Sequence, residues 1–446
     1  MIVDLPSSNT SVVNKKLVEL REKGGVLALG RVLTLVVVTD DGAAIESAIE
    51  AANTASREHP CRVIVSRPPW PIEGDHVVEL ATEVRWQDTR FRLPLERIRL
   101  SEELGYDAVF TAEGFGSDAL VPLGIIAGQT SRLKLGTRIA QVTGRPPALA
   151  AMAFQTLNHA TGGGRVMAGL GSASPLAAEC FHSRAWGSPV GRMRDYVTVL
   201  RQAFAGQPLD HAGTEWSAPY RGSDAQNLPP APIGLVPQGD IPVLVAAAGP
   251  AMTRLAAEIA DGWLPPLFAP GLMKAFAPLL QAGFDRAGRS GEDFAIWAHV
   301  DVLVDDDVRA AMRPFKEYTV TWAAIQHDFM VARGYGDVAD RLADLRSDQD
   351  PSESERRVQT GLPPLDDLRW REALAAVPDE YIDEGWLVGP LDRIAGRVQP
   401  WLDCGLTGLV VRYGPQTAAA PPAENLEAFR VIAEAAGRRP VAVAGR

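Results

Sequence analysis

The sequence predicts an α/β chain built on a (β/α)8, or TIM, barrel with insertions, preceded by a small βα-β extension. Three observations predict it. Eight strand-like stretches alternate with eight helical stretches over residues 77–438. The 41 glycines and 34 prolines among 446 residues mark many turns between short elements rather than long helical bundles. The composition breaks at Ser66-Arg-Pro-Pro-Trp-Pro-Ile-Glu-Gly-Asp75, where prolines exclude strand or helix, so two pieces are joined there. A doubly wound sheet would share the alternation of strands and helices.

In chain order, Lys15–Lys23 reads as a helix ending at Gly24-Gly25 and Arg31–Thr39 as a buried strand. Ala43–Arg57 repeats Ile45, Ile49 and Ala52 at helical spacing, and Cys61–Val65 is a second strand. This makes a βα-β segment over 1–66, followed by a Pro-rich linker at 67–76. The barrel strands are then expected at Val77–Val84, Ala108–Ala112, Leu133–Thr137, Arg165–Leu170, Pro242–Ala247, Gly262–Pro265, Ile296–Val304 and Leu406–Val411. Helices are expected at Leu93–Leu104, Asp118–Ala127, Ala148–Ala160, Arg192–Phe204, Met252–Ala260 and Leu272–Arg286. A long helical region follows Asp305, and a last helix covers Ala423–Ala436. Asp210–Gln238 and the charged Ser347–Pro364 read as irregular inserts, and 439–446 as a tail.

With 46% apolar and 22% charged residues the composition is that of a globular protein, which excludes wholesale disorder. A net charge of −11 argues against general nucleic-acid binding. Cys61, Cys180 and Cys404 form no CxxC pair, so neither a disulfide framework nor a zinc ribbon is signalled. The N-terminus lacks the signature of a signal peptide and no apolar run approaches a bilayer span, so a soluble cytoplasmic protein without membrane partners is expected. Among His59, His76, His159, His182, His211, His299 and His327 there is no HExxH, and Gly169-Leu-Gly-Ser172 lacks the GxSxG order. No metal site and no hydrolase follow.

Chemistry in such barrels lies at the C-terminal ends of the strands. Three ends stand out. Arg165-Val-Met-Ala-Gly-Leu-Gly-Ser-Ala-Ser174 places small residues after a strand, where backbone amides can approach a phosphate or a flat ring. Ala248-Gly249-Pro250 opens a helix whose free amides attract an anion. Glu113 follows a buried strand and is a candidate acid or base. Ordinary βα turns and an N-capping carboxylate explain the same residues equally well.

Taken together, Leu104-Gly-Tyr-Asp-Ala-Val-Phe-Thr-Ala-Glu113, Ser131-Arg-Leu-Lys-Leu-Gly-Thr137, Gly163-Gly-Arg-Val-Met-Ala-Gly-Leu-Gly171 and Ala248-Gly-Pro…Ala260-Asp-Gly-Trp263 resemble the bacterial luciferase-like monooxygenase family. Within it they are most similar to enzymes using the deazaflavin coenzyme F420; Leu387-Val-Gly-Pro-Leu-Asp-Arg-Ile-Ala395 and Gly405-Leu-Thr-Gly-Leu-Val-Val411 resemble the last repeat. The resemblance implies a hydride transfer between coenzyme F420, or alternatively FMN in a monooxygenase, and a small organic substrate. It implies that Gly171, Ser172, Ala173, Gly249 and Pro250 contact the cofactor tail, with Arg192, and Arg194 beside it, near its phosphate. Thr137, Gln141, Val142 and Thr143 follow strand three, where the family carries a bulge under the cofactor ring. Glu113 and Trp186 are the catalytic candidates, Trp186 and Phe115 by stacking. The family's histidine at the end of strand two is replaced by Gly114, and an acid of its sugar-phosphate-oxidising members by Ser174, which disfavours glucose 6-phosphate. Family members are often homodimers.

The first 65 residues carry different words. Val12-Val-Asn-Lys-Lys-Leu-Val-Glu-Leu-Arg-Glu-Lys-Gly-Gly25 and Ala51-Ala-Asn-Thr-Ala-Ser-Arg-Glu-His-Pro-Cys-Arg-Val-Ile-Val65 resemble the glucose-6-phosphate dehydrogenase assembly protein (OpcA) family. That resemblance implies a contact with glucose-6-phosphate dehydrogenase and a non-enzymatic assembly role as an alternative function. An idle fusion is the third reading.

Overall fold

The computed structural model describes residues 77–85, 87, 90–345, 367–415 and 423–441, with the backbone of four strands nearer the N-terminus. The chain divides into two compact units, Met1–Gly74 and Asp75–Arg446. In the first, Ile2–Leu5 pairs in parallel with Val26–Leu29, which runs antiparallel to Leu33–Val38, itself parallel to Cys61–Ser66. The expected two-strand βα-β segment is therefore corrected to a four-stranded sheet. Only three residues separate Val26–Leu29 from Leu33–Val38, enough for an antiparallel return but not for a parallel crossover. The helices expected at Lys15–Lys23 and Ala43–Arg57 lie outside the described residues, as does the Ser347–Pro364 insert.

The second unit is a closed barrel of eight parallel strands. They are β1 (Glu79–Val84), β2 (Ala108–Thr111), β3 (Lys134–Thr137), β4 (Val166–Gly171), β5 (Val243–Ala246), β6 (Gly262–Leu264), β7 (Ala295–Val304) and β8 (Gly408–Tyr413). Each pairs with the next, and β8 closes on β1. All eight fall on the stretches read from the sequence, within two residues at either end, because short apolar runs flanked by turn residues leave little freedom of placement. The helices that follow them are α1 (Leu95–Glu103), α2 (Leu120–Ala127), α3 (Pro147–Ala160), α4 (Pro189–Phe204), α5 (Pro250–Ile259), α6 (Met273–Ala287), α7 (Val308–Thr321) and α8 (Leu426–Ala435). Proline opens α3, α4 and α5, at the position where its missing N–H has no helical partner to lose.

Between β7 and β8 the chain adds a helical insertion. It contains Ala323–Ala332, Gly336–Asp344, Asp367–Ala376 and Asp379–Gly385, packed with α7 around Phe315, Met330, Leu342, Tyr381 and Trp386. The Asp210–Gln238 insert carries a short hairpin, His211–Ala212 against Ser217–Ala218. Asp195 on α4 holds it by accepting from His211 Nε2 at 2.9 Å and from the amides of Glu215 and Trp216 at 2.9 and 3.2 Å.

Inside the barrel the side chains form layers, because alternate residues of each strand point inward. Ala81, Ala108, Phe110, Met167, Leu244, Leu264, Trp297 and Val410 form one apolar cluster there. Phe110 and Trp297 meet edge to face at 5.2 Å, and glycines make their room. A Cβ on Gly136 would lie 2.4 Å from the Phe110 ring, and one on Gly408 2.2 Å from Trp297. Two residues further along β1, β7 and β8 the inward positions become Glu83, His299 and Arg412, and Arg138 stands just past the end of β3, all toward the strands' C-terminal ends.

Candidate active site at the barrel mouth

The floor of the mouth on the β8–β1 side is a buried ring of charge. Arg412 grips Asp301 with two hydrogen bonds of 2.7 Å, and Arg85 also donates to Asp301. Arg412 Nη1 lies 3.5 Å from Glu83, whose other oxygen accepts from Arg138 at 3.1 Å. Arg138 spans the barrel to the carbonyl of Pro265 and to His299 Nδ1, both at 2.7 Å. Glu83, Asp301 and His299 are 2–6% exposed. Burial and the guanidiniums of Arg412, Arg138 and Arg85 hold the His299 imidazole well below its ordinary pKa, so the ring stays neutral. The same arginines outweigh burial at Asp301 and keep it a carboxylate, its pKa lowered. Tyr318, reaching in from α7, has its phenol pushed up by burial.

A backbone irregularity delivers Arg138. Gly136 pairs with Met167 and Ala140 with Leu170, so four steps along the β3 side oppose three along β4. The extra residue is a bulge. The Arg138–Ile139 peptide within it is cis. Beyond it, the amide of Gln141 donates to Glu113 Oε1 at 2.5 Å and that of Val142 to the carbonyl of Gly171 at 3.0 Å.

Glu113 is fully engaged. Arg145 Nη1 donates to both its oxygens at 2.7 Å, the Gln141 and Ala119 amides add to them, and Arg145 also reaches Asp118. Thr137 is equally occupied: its hydroxyl donates to the Gly169 carbonyl at 2.6 Å and accepts from the Gly169 amide at 3.0 Å. Thr143 shares a 2.8 Å hydrogen bond with His182 Nδ1, at the end of the π-turn Ala177–Phe181. Gln141 is buried, and its Oε1 is sealed from solvent with no partner among the described residues.

The opposite wall is mostly backbone. β4 ends at Gly171, and Ala173 takes a left-handed conformation at φ 65° between Ser172 and Ser174. A non-glycine residue there costs about 1 kcal/mol and is kept where the turn is needed. Gly249 caps α5 with no side-chain hydrogen bond, its Cα faces open space, and Pro250 follows, so the helix presents unfilled amides. Arg192, on α4, is buried. Its Nη2 donates to the Ala185 carbonyl at 2.9 Å, to that of Trp186 and to Glu215 at 3.0 Å, while its Nε and Nη1 have no hydrogen-bond partner among the described residues. This fixes the turn bearing the half-buried Trp186. Arg194 is tied to Glu258 of α5 by two 2.8 Å hydrogen bonds.

The structure thus brings Gln141, Val142, Gly171 and Glu113 together at the β2–β4 ends, and Arg192 with Trp186 at the start of α4. Gly249 and Pro250 stand at the end of β5. Sequence reasoning missed the whole charged ring, including His299, which carried no motif. The available signal was the alternation Trp297, His299, Asp301 along one strand.

The sequence profile of the luciferase-like monooxygenase family matches residues 77–408. A Mycobacterium tuberculosis protein provisionally named a coenzyme F420-dependent oxidoreductase is 34% identical over 332 residues, 72% of this chain and 90% of that protein. The 5,10-methylenetetrahydromethanopterin reductase of Archaeoglobus fulgidus is 27% identical, covering 70% and 87%. Among solved structures, the coenzyme F420-dependent tetrahydromethanopterin reductase of Methanopyrus kandleri superposes with a TM-score of 0.60 at 20% identity, over 80% of this chain and 97% of that one. The last shows the shared fold. The resemblance of residues 1–65 to assembly proteins receives no support from these matches.

Proposed function

The chain belongs to the luciferase-like monooxygenase family and is an oxidoreductase, and from that premise we propose that it passes a hydride between coenzyme F420 and a small organic substrate in the barrel mouth. The observation that carries the reading is the mouth's asymmetry: open backbone amides on the β4–β5 wall face a wall of buried charge. The residues present fit the coenzyme, because α5 offers uncapped amides for a phosphate and Gln141 holds an orphaned acceptor at the bulge. When bound, the deazaflavin supplies the hydride-carrying carbon.

All other work falls on the chain. In this reading Gly249, Pro250, Gly171, Ser172 and Ala173 hold the coenzyme tail through backbone groups. Gln141 would offer its orphaned Oε1 to the coenzyme's ring once the side chain turned toward the mouth. Thr137, Val142 and Thr143 position the bulge beneath it, and Glu113 anchors that loop through Arg145 rather than moving a proton. Arg192 sets the turn that presents Trp186 as a stacking wall. Titrating coenzyme F420 and FMN separately into the purified chain, followed by fluorescence, tests this. Micromolar binding of F420 with weak FMN binding is expected. Preference for FMN would make the protein a monooxygenase, and binding of neither by a folded chain would refute the proposal.

We also assign a homodimer. α2 carries no charged residue, and Val121 and Ile125 on it are exposed beside exposed Leu149 and Met152 of the neighbouring α3. Such a contiguous apolar face fits a second copy. Light scattering would then read about twice the 47.9 kDa chain mass.

A further inference from the structure

The ring on the mouth's floor is unbalanced. Three guanidiniums (Arg85, Arg138, Arg412) share two carboxylates (Glu83, Asp301), so the cluster carries one net positive charge among the described residues. A guanidinium stays charged and can only donate. His299 Nδ1 therefore accepts from Arg138, so the proton of the neutral imidazole sits on Nε2. No described residue accepts from that Nε2–H, although His299 is only 6% exposed. That Nε2 is not among the sealed atoms and so is reachable from the mouth, whereas the Nε atoms of Arg85 and Arg138 are sealed without a partner among the described residues. A largely buried excess charge is costly, and a donor left without a fixed acceptor is ready to take one. One ligand relieves both: an oxygen carrying negative charge.

We propose that Arg85, Arg138, Arg412 and His299 form the subsite for a singly charged oxyanion of the substrate, a carboxylate, so that the substrate is an organic acid. The inference rests on the mouth being the substrate chamber. The source is the substrate rather than the coenzyme because β8 and β1 lie across the barrel from β4 and β5, where the open amides stand. Single charge is favoured over a phosphate dianion because the ring has one charge to neutralise; a dianion would leave the buried cluster negative. His299 Nε2–H supplies the directed hydrogen bond, and the arginines supply the field.

The full-length chain, labelled with 15N-histidine, tests this by two-bond proton–nitrogen correlation. His299→Leu identifies the His299 signals by their loss. The expected spectrum shows a neutral ring with the proton on Nε2. Sodium acetate, at ionic strength matched with sodium chloride, should shift these signals saturably, while the uncharged isostere acetamide and inorganic phosphate should not match it. Acetate affinity, read by calorimetry, should fall about tenfold or more in His299→Leu. It should survive in His299→Gln, whose amide can accept from Arg138 and still donate, which also controls for misfolding. No saturable acetate shift, an equal response to acetamide, tighter phosphate binding, or displacement of acetate by saturating coenzyme F420 would each overturn the subsite. Coenzyme binding is read in the same sample by fluorescence, so loss of acetate binding with F420 binding intact defeats the subsite and leaves the oxidoreductase reading standing.

Discussion

On the β4–β5 wall of the mouth the groups left to meet a ligand are mostly backbone: the turn after Gly171 and the uncapped amides behind Gly249. On the β7–β8–β1 wall they are side chains, Asp301, Arg412, Glu83 and His299, wired to one another across strands that lie far apart in sequence. The first wall tolerates any residue small enough to leave the backbone bare. The second depends on each member, since removing one strands its partner in a low-dielectric interior. Open backbone gives a site that is cheap to build and chemically generic, whereas a buried side-chain ring fixes charge and hydrogen-bond direction.

Substituting glycines gives the largest contrast. In Gly169→Ala the new Cβ would stand 1.7 Å from the Thr137 carbonyl oxygen, and backbone cannot move aside. We expect a loss of about 3 kcal/mol or more, or no folded protein, by chemical denaturation. Gly249→Ala meets nothing within 4 Å at φ −80°, an ordinary conformation, and should stay within about 0.5 kcal/mol of the parent. Equal losses would mean that the β5 end is packed rather than open.

Ion pairs give the next contrast. Asp301→Asn takes from Arg85 its carboxylate and leaves Arg412 only Glu83, with both arginines largely shielded from water, and should cost about 3–5 kcal/mol. Arg194→Gln breaks the pair with Glu258 on the outer helices, where Arg194 is 39% exposed, and should cost less than about 1 kcal/mol. Similar values for both would show the ring to be solvated and would remove the basis for treating it as a charged floor.

The same difference decides what could be read in advance. The eight strands were legible because each is a short apolar run bounded by turn residues, and the β4 and β5 ends because glycine and proline mark bare backbone. The ring was not. In Ala295–Val304 nearly every residue is buried, since helices cover one face and the barrel the other, so hydrophobicity does not separate the faces. Only the alternation of Trp297, His299 and Asp301 betrays the inward face, and nothing local shows that Arg138 and Arg412 meet it. Glu113 was singled out by its place after β2, yet its partner Arg145 stands 32 residues away. In the N-terminal unit, Ile2–Leu5 and Val26–Leu29 were missed because four residues are too few to show a period.

The smallest effect concerns pH. His299 faces Arg412, Arg138 and Arg85, around which Glu83, Asp301 and Tyr318 gather, and its native pKa lies well below 6.5. Between that native value and about 6.5 the unfolded chain binds a proton that the folded chain refuses, so stability rises with pH across this window and is lost as pH falls. The slope from one such group is at most about 1.4 kcal/mol per pH unit. His182, also lowered by burial, acts in the same direction, whereas His327, raised by Asp340 and Asp328 at the surface, acts in the opposite one. Comparing the chain with His299→Gln cancels both, because they are present in each. Denaturation midpoints from pH 7.5 down to 5.5 should therefore fall more steeply for the parent than for His299→Gln. Parallel curves would mean that His299 takes up a proton in the folded state, and the positive charge of the ring would then be too weak to keep it neutral.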